Sequence, residues 1–114
     1  MRYDLGPIGR IPLGEGRQFR VGGSLVAVFR SREDGVFATQ AHCPHRGGPL
    51  ADGLLGGEKV ICPLHGHRFD LRTGCEVGQR CAALATYAAA VSADGHILLD
   101  LDRDACGRPA RAAS

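Results

Sequence analysis

Four residues in the middle of the chain could bind a metal together. Cys43 and His45 form one pair in Cys43-Pro44-His45, and Cys62 and His65 form a second in Cys62-Pro63-Leu64-His65. Residues 46–61 lie between them. Each half offers one thiolate and one imidazole. Together they make a four-ligand set with two soft sulfur donors and two nitrogen donors, which suits zinc or an iron–sulfur centre. The order of the ligands narrows the choice. A zinc site commonly keeps both cysteines in one half and both histidines in the other. Here each half runs Cys first and His second, as C-x-H and then C-x-x-H.

Halves of this kind can give their thiolates to one iron and their imidazoles to another, the ligation of a Rieske [2Fe–2S] centre. The flanking residues carry a wider likeness. Cys43-Pro44-His45-Arg46-Gly47-Gly48-Pro49-Leu50 and Cys62-Pro63-Leu64-His65-Gly66 resemble the two cluster-binding loops of the Rieske family, and Phe69-Asp70-Leu71-Arg72-Thr73-Gly74 is similar to the sequence that follows them. The resemblance runs from about Ile11 to Leu101. It implies an all-β fold, an antiparallel β-sandwich or barrel with an inserted cluster-binding subdomain. The domain would span residues 1–102 with the insert at about 41–68, leaving 103–114 as a frayed tail. The implied cofactor is a Rieske-type [2Fe–2S] cluster, with Cys43 and Cys62 on one iron and His45 and His65 on the other. The implied chemistry is outer-sphere electron transfer, with no substrate-transforming site of the chain's own. Respiratory members of the family carry an extra, disulfide-forming cysteine in each loop. Gly48 and Leu64 stand at those positions here, which places the chain with the ferredoxin-type members.

Within the family, two assignments compete. Ile11-Pro12-Leu13-Gly14-Glu15-Gly16, Val26-Ala27-Val28-Phe29-Arg30, His45 to Gly53 and the stretch from Cys81 to Tyr87 look more like the small subunit of a cytoplasmic NAD(P)H-dependent nitrite reductase. That subunit exchanges electrons with a large flavin-, sirohaem- and iron–sulfur-containing partner. The alternative is a ferredoxin that passes electrons from a flavin reductase to a ring-hydroxylating dioxygenase. A third reading, of another class, is a structural or regulatory subunit stapled by zinc. After the second loop stand His67-Arg68-Phe69, where high-potential members place a Ser and a nearby Tyr as hydroxyl donors. Donors near the sulfurs stabilise the reduced cluster, so their lack implies the low end of the Rieske range, which spans roughly −150 to +300 mV. Pro44, Pro49, Leu50 and Leu64 would form a small apolar docking rim, and the remaining hydrogen bonds would come from backbone N–H groups around Gly47, Gly48, Gly66 and His67.

Bulk properties bound the alternatives. The 114 residues fit one domain. A formal net charge of +2 without a basic block gives no footprint for nucleic acid. No apolar stretch approaches 18 residues, so no membrane span is expected. The first residues lack the apolar core of a secretion signal, which points to the cytoplasm. Of five cysteines, Cys75, Cys81 and Cys106 fall outside the ligand set and are expected as reduced thiols.

The elements that must position the ligands are short strands. Seventeen glycines and six prolines punctuate brief apolar runs, and no long segment carries a helical stripe. Tyr3–Leu5 reads as an edge strand broken by Gly6-Pro7. Gln18–Val21 and Ser24–Phe29 read as a hairpin about Gly22-Gly23. The unbroken run Leu25–Phe29 suits a strand covered on both faces. Val36–Gln40 leads into the first loop, Glu58–Ile61 into the second, and Arg68–Leu71 follows it. Six alanines favour helix over residues 82–90 by propensity alone. The turn Ala93-Asp94-Gly95 and the alternation of Ile97, Leu99 and Leu101 argue instead for a hairpin. His42 and His96 are expected at the surface, and Phe69 in the core beneath the loops.

Overall fold

The computed structural model describes residues 2–32, 35–42, 49–62, 68–77 and 84–104. Among the described residues, nine strands account for most of the regular structure. They are β1 (Arg2–Pro7), β2 (Glu15–Val21), β3 (Ser24–Arg30), β4 (Val36–Gln40), β5 (Leu54–Gly56), β6 (Lys59–Ile61), β7 (Arg68–Asp70), β8 (Thr86–Val91) and β9 (His96–Asp100). Short 3-10 turns occupy Ile8–Arg10 and Leu50–Asp52. Six strands form one antiparallel sheet in the order β1-β9-β8-β4-β3-β2, and β5-β6-β7 form a second. Because β4 and β8 are hydrogen-bonded neighbours, the chain from 41 to 85 leaves the large sheet and returns beside its point of departure. The second sheet lies within that excursion.

The large sheet begins with the expected hairpin. Gly22 and Gly23 both have positive φ, at 55° and 83°, the geometry of a two-residue turn whose twist matches its strands. Register is continuous from Val21↔Ser24 to Glu15↔Arg30. The Tyr3 hydroxyl lies where a Cβ on Gly22 would fall. One edge strand thus meets the turn at the opposite edge, and the sheet curls.

Strand β3 explains its own unbroken apolar run. Val26, Ala27, Val28 and Phe29 are all fully buried. Val26 and Val28 belong to the core inside the curl, with Ile11, Val21, Ala38, Tyr87, Ile97 and Leu99. Ala27 and Phe29 belong to a second core, with Leu50, Val60, Cys62, Phe69, Leu71 and Leu84. A strand with apolar cover on both faces has no polar side to alternate with. The second core joins the large sheet to the excursion.

Several local expectations are corrected. Strand β1 continues through Gly6 and Pro7. Gly6 takes φ +93° at a register shift between Asp4 and Pro7, so the Gly-Pro pair bulges the edge strand and does not end it. His96 is half-buried and bound: its Nδ1 lies 3.0 Å from Asp4 Oδ2 across the β1–β9 seam. That hydrogen bond, followed by one from the Gly6 backbone N–H, holds the Asp4 carboxyl below its ordinary range. The alanine-rich segment is strand, as its following turn implies, but begins at Thr86. Leu84 and Ala85 precede it as buried irregular chain. Cys81, Cys106 and most of the expected tail lie outside the described residues.

Candidate metal centre

Two pairs of strand ends bracket the candidate ligands. An antiparallel bridge joins His42 and Pro49, the residues flanking 43–48, and the Leu50 N–H donates to the Ala41 carbonyl at 3.0 Å. Ile61 and Arg68, the last pair of β6 and β7, flank residues 62–67. Each bracketed loop therefore has six positions, and each opens on a cysteine, Cys43 or Cys62. Of the four expected ligands, the structure places Cys62, as a free, buried thiol of 1% exposure. Cys43, His45 and His65 lie outside the described residues, as do Gly47, Gly48, Gly66 and His67.

The bases of both loops rest on one core. Leu50, two residues past the first loop, and Cys62, the first residue of the second, belong to the same buried group as Val60 and Phe69. Val60 and Phe69 face each other across β6 and β7. Phe69 is fully buried, as expected. Leu50 is fully buried too. It supports the first loop from beneath and cannot form part of an exposed docking rim. Among the described residues, Leu54 at 72% and Val77 at 40% are exposed apolar side chains nearby. His42 is exposed, in line with the sequence.

The two loops are clamped by a close backbone approach. Gly53 ends the second 3-10 turn, its N–H donating to the Leu50 carbonyl at 2.9 Å. A Cβ at Gly53 would collide with the Ile61 carbonyl oxygen, one residue before Cys62. The φ of Gly53 is −76°, open to any residue, so it is space and not conformation that demands glycine here. Gly53→Ala should destabilise the fold by about 1–3 kcal/mol, the usual cost of overpacking. The Gly56→Ala control, where an added Cβ meets nothing, should lie within about 0.5 kcal/mol of wild type in the same denaturation series.

The far side of β7 braces the second loop. Phe69 bridges to Glu76, Val77 N–H donates to the Arg68 carbonyl at 2.7 Å, and Asp70 N–H donates to the Cys75 carbonyl at 2.9 Å. Arg72 binds Glu58 through two 2.6 Å hydrogen bonds, and these hold the Glu58 carboxyl below its ordinary range. The same guanidinium sits 5.5 Å from the Phe37 ring centroid, which ties the small sheet to the large one. Cys75 is exposed, and Cys81 lies outside the described residues.

This setting suits an iron–sulfur cluster. Metal binding needs Cys62 as a thiolate, and an isolated anion in apolar surroundings is costly. A cationic metal at Cys62 would supply that balance. Two Cys and two His, one pair before each of β5 and β7 in the sequence, are the residue types that the unequal ligation of a Rieske centre requires.

Comparison with known proteins leads to the same place. A ferredoxin component of a naphthalene 1,2-dioxygenase/salicylate 5-hydroxylase system from Ralstonia sp. is 38% identical over 64 residues, 56% of this chain and 61% of that protein. The chain thus spans about three-fifths of that curated relative. Among solved structures, the ferredoxin of carbazole 1,9a-dioxygenase from Nocardioides aromaticivorans IC177 superposes with a TM-score of 0.77 at 29% identity, covering 87% of this chain and 96% of that one. A chain assigned as an NADH-dependent nitrite reductase small subunit, from Mycobacterium tuberculosis, gives a TM-score of 0.81 over 100% of this chain and 97% of that one. At 22% identity that likeness is one of fold. The family model for the Rieske [2Fe-2S] domain matches residues 1–88. The chain therefore belongs to the Rieske [2Fe–2S] domain family, with a Rieske-type [2Fe–2S] cluster as its cofactor.

Proposed function

We propose that Cys43, His45, Cys62 and His65 hold the cluster, and that the protein is a one-electron carrier to or from a redox protein partner. One observation carries the assignment: two six-residue segments, each opening on a cysteine, are flanked by paired residues, and both flanks adjoin a shared core. When bound, the cluster supplies reversible one-electron chemistry at a potential raised by its two neutral imidazole ligands. The chain's own residues do the rest. Cys62 anchors one side from within the core. Gly53, Leu50 and Phe69 fix the spacing of the two loop bases. Neither loop contains a Ser, Thr or Tyr, so no hydroxyl within the loops can donate to the sulfurs, and the midpoint potential belongs in the low part of the Rieske range. The domain boundaries follow the sequence reading, with a ligand-bearing insert at about 41–68 in a 1–102 domain and a tail at 103–114.

The finer assignment is to the small subunit of an NAD(P)H-dependent nitrite reductase. It rests on the segments Ile11–Gly16, Val26–Arg30 and His45–Gly53. The reading as a dioxygenase ferredoxin is supported by the 38% identity to the Ralstonia component. Reconstitution separates them. The chain should restore NAD(P)H-dependent nitrite reduction to a large nitrite reductase subunit that lacks its small one. If it instead relays electrons from a flavin reductase to a ring-hydroxylating oxygenase and leaves the nitrite reductase silent, the second assignment holds. A colourless protein with one zinc per chain would refute both.

A further inference from the structure

Gln40 is the last residue of β4 and is nearly fully buried, at 5% exposure. Its side chain bridges two parts of the backbone. The amide Nε2 donates to the His42 carbonyl at 2.7 Å. Its Oε1 accepts the Ala85 N–H at 2.8 Å. Its own backbone N–H donates to the Ala85 carbonyl at 2.9 Å. The amide orientation follows from its partners, because the reverse flip would set oxygen against oxygen and N–H against N–H.

This geometry arises where the β4–β8 ladder ends. Strand pairing runs through Ala38↔Tyr87 and Thr39↔Thr86. One step further, the main chain of β4 turns toward the first loop, and His42 pairs with Pro49. The Gln40 side chain takes over the acceptor role on the β8 side while its other end reaches the loop. The His42 carbonyl and the Cys43 nitrogen belong to one planar peptide unit. A hydrogen bond that fixes the first therefore fixes the plane from which Cys43 departs.

We infer that Gln40 is a positioning residue for the first cluster-binding loop, setting the peptide that carries Cys43 against the fixed edge of β8. The inference rests on the assignment of residues 43–48 as a ligand loop.

The test uses the full chain with its cluster and two variants. Gln40→Met keeps the length of the side chain and removes both hydrogen bonds. Gln40→Glu keeps the acceptor for Ala85 but turns an oxygen toward the His42 carbonyl. Ile97→Val, in the other core, serves as a control that loosens the fold without touching the loop. Both Gln40 variants should shift or broaden the EPR signal of the reduced cluster. Both should lose iron to a chelator about tenfold faster than wild type, as expected when a buried acceptor loses its donor. The control should keep the wild-type EPR line shape. If Gln40→Met does not fold, Gln40→Glu carries the test, since it retains the β8 bond. A native EPR signal in the folded Gln40 variants, with iron loss no faster than in Ile97→Val, overturns the inference alone. A wild-type protein without a Rieske spectrum overturns the ligand assignment, and this inference with it.

Discussion

Cys62→Ala should abolish cluster binding while leaving the β domain folded. The side chain is 1% exposed and belongs to a core of Leu50, Val60, Phe69 and Leu84. In that setting a cysteine without metal packs as a small hydrophobe, and alanine replaces it at little cost. As a ligand it has no substitute, because methyl donates nothing to iron. Loss of an outer-shell partner lowers metal affinity by roughly 10–100-fold, and loss of a ligand should exceed that range. The purified variant should lack visible absorbance above the aromatic region and show no reduced-state EPR signal. Its melting temperature should match that of wild-type protein stripped of iron, since both lack the stabilisation that a ligand of the folded state provides. Cys75→Ala is the control: that thiol is exposed and lies beside β7, outside the two loops. A cluster retained in Cys62→Ala, or lost in Cys75→Ala, contradicts the assignment.

The contrast between these two cysteines illustrates which features the sequence discloses. Ligand type and spacing are chemical constraints imposed locally, so the pairs Cys43/His45 and Cys62/His65 stand out as candidates, and of the four only the buried Cys62 falls among the described residues. The apolar run of β3 is equally legible, because burial on both faces leaves a one-dimensional trace. Strand β5 is not. Its three residues, Leu54 to Gly56, are too few to show a period, and Leu54 is exposed. They become a strand because β6 supplies a ladder for them. The burial of Leu50 is hidden for a similar reason. Beside the prolines of a loop it reads as a surface contact, and only the meeting of the 3-10 turn with the second core turns it inward. His96 reads as solvated after a turn, and its partner Asp4 is 92 residues away. Gln40 left one faint signal, a polar residue closing an apolar strand just before a ligand loop. Its two partners, at positions 42 and 85, are set by topology alone.

Phe69→Ala should destabilise the fold strongly, and the cluster should be lost ahead of the fold. The ring is fully buried, faces Val60 across β6 and β7, and shares its core with Cys62. Truncating a buried Phe costs about 3–5 kcal/mol through lost transfer energy and the cavity left behind. Domains of this kind have only about 5–15 kcal/mol in total. At roughly 4–8 °C per kcal/mol for a domain slightly smaller than this one, the melting temperature should fall by more than 10 °C. The position of the cavity matters as much as its size. Phe69 is one residue past Arg68, which pairs with Ile61, so relaxation around the void disturbs the strand pair that flanks residues 62–67. Ile97→Ala makes the fair comparison. Ile97 is also fully buried, but in the core inside the curl, and its truncation costs about 2–5 kcal/mol. Under conditions where both variants remain folded by circular dichroism, Phe69→Ala should hold less iron and give a broadened EPR signal, whereas Ile97→Ala should keep the wild-type signal. Equal iron content and line shape in the two would show that the second core serves the fold in general and has no particular part in aligning the loops.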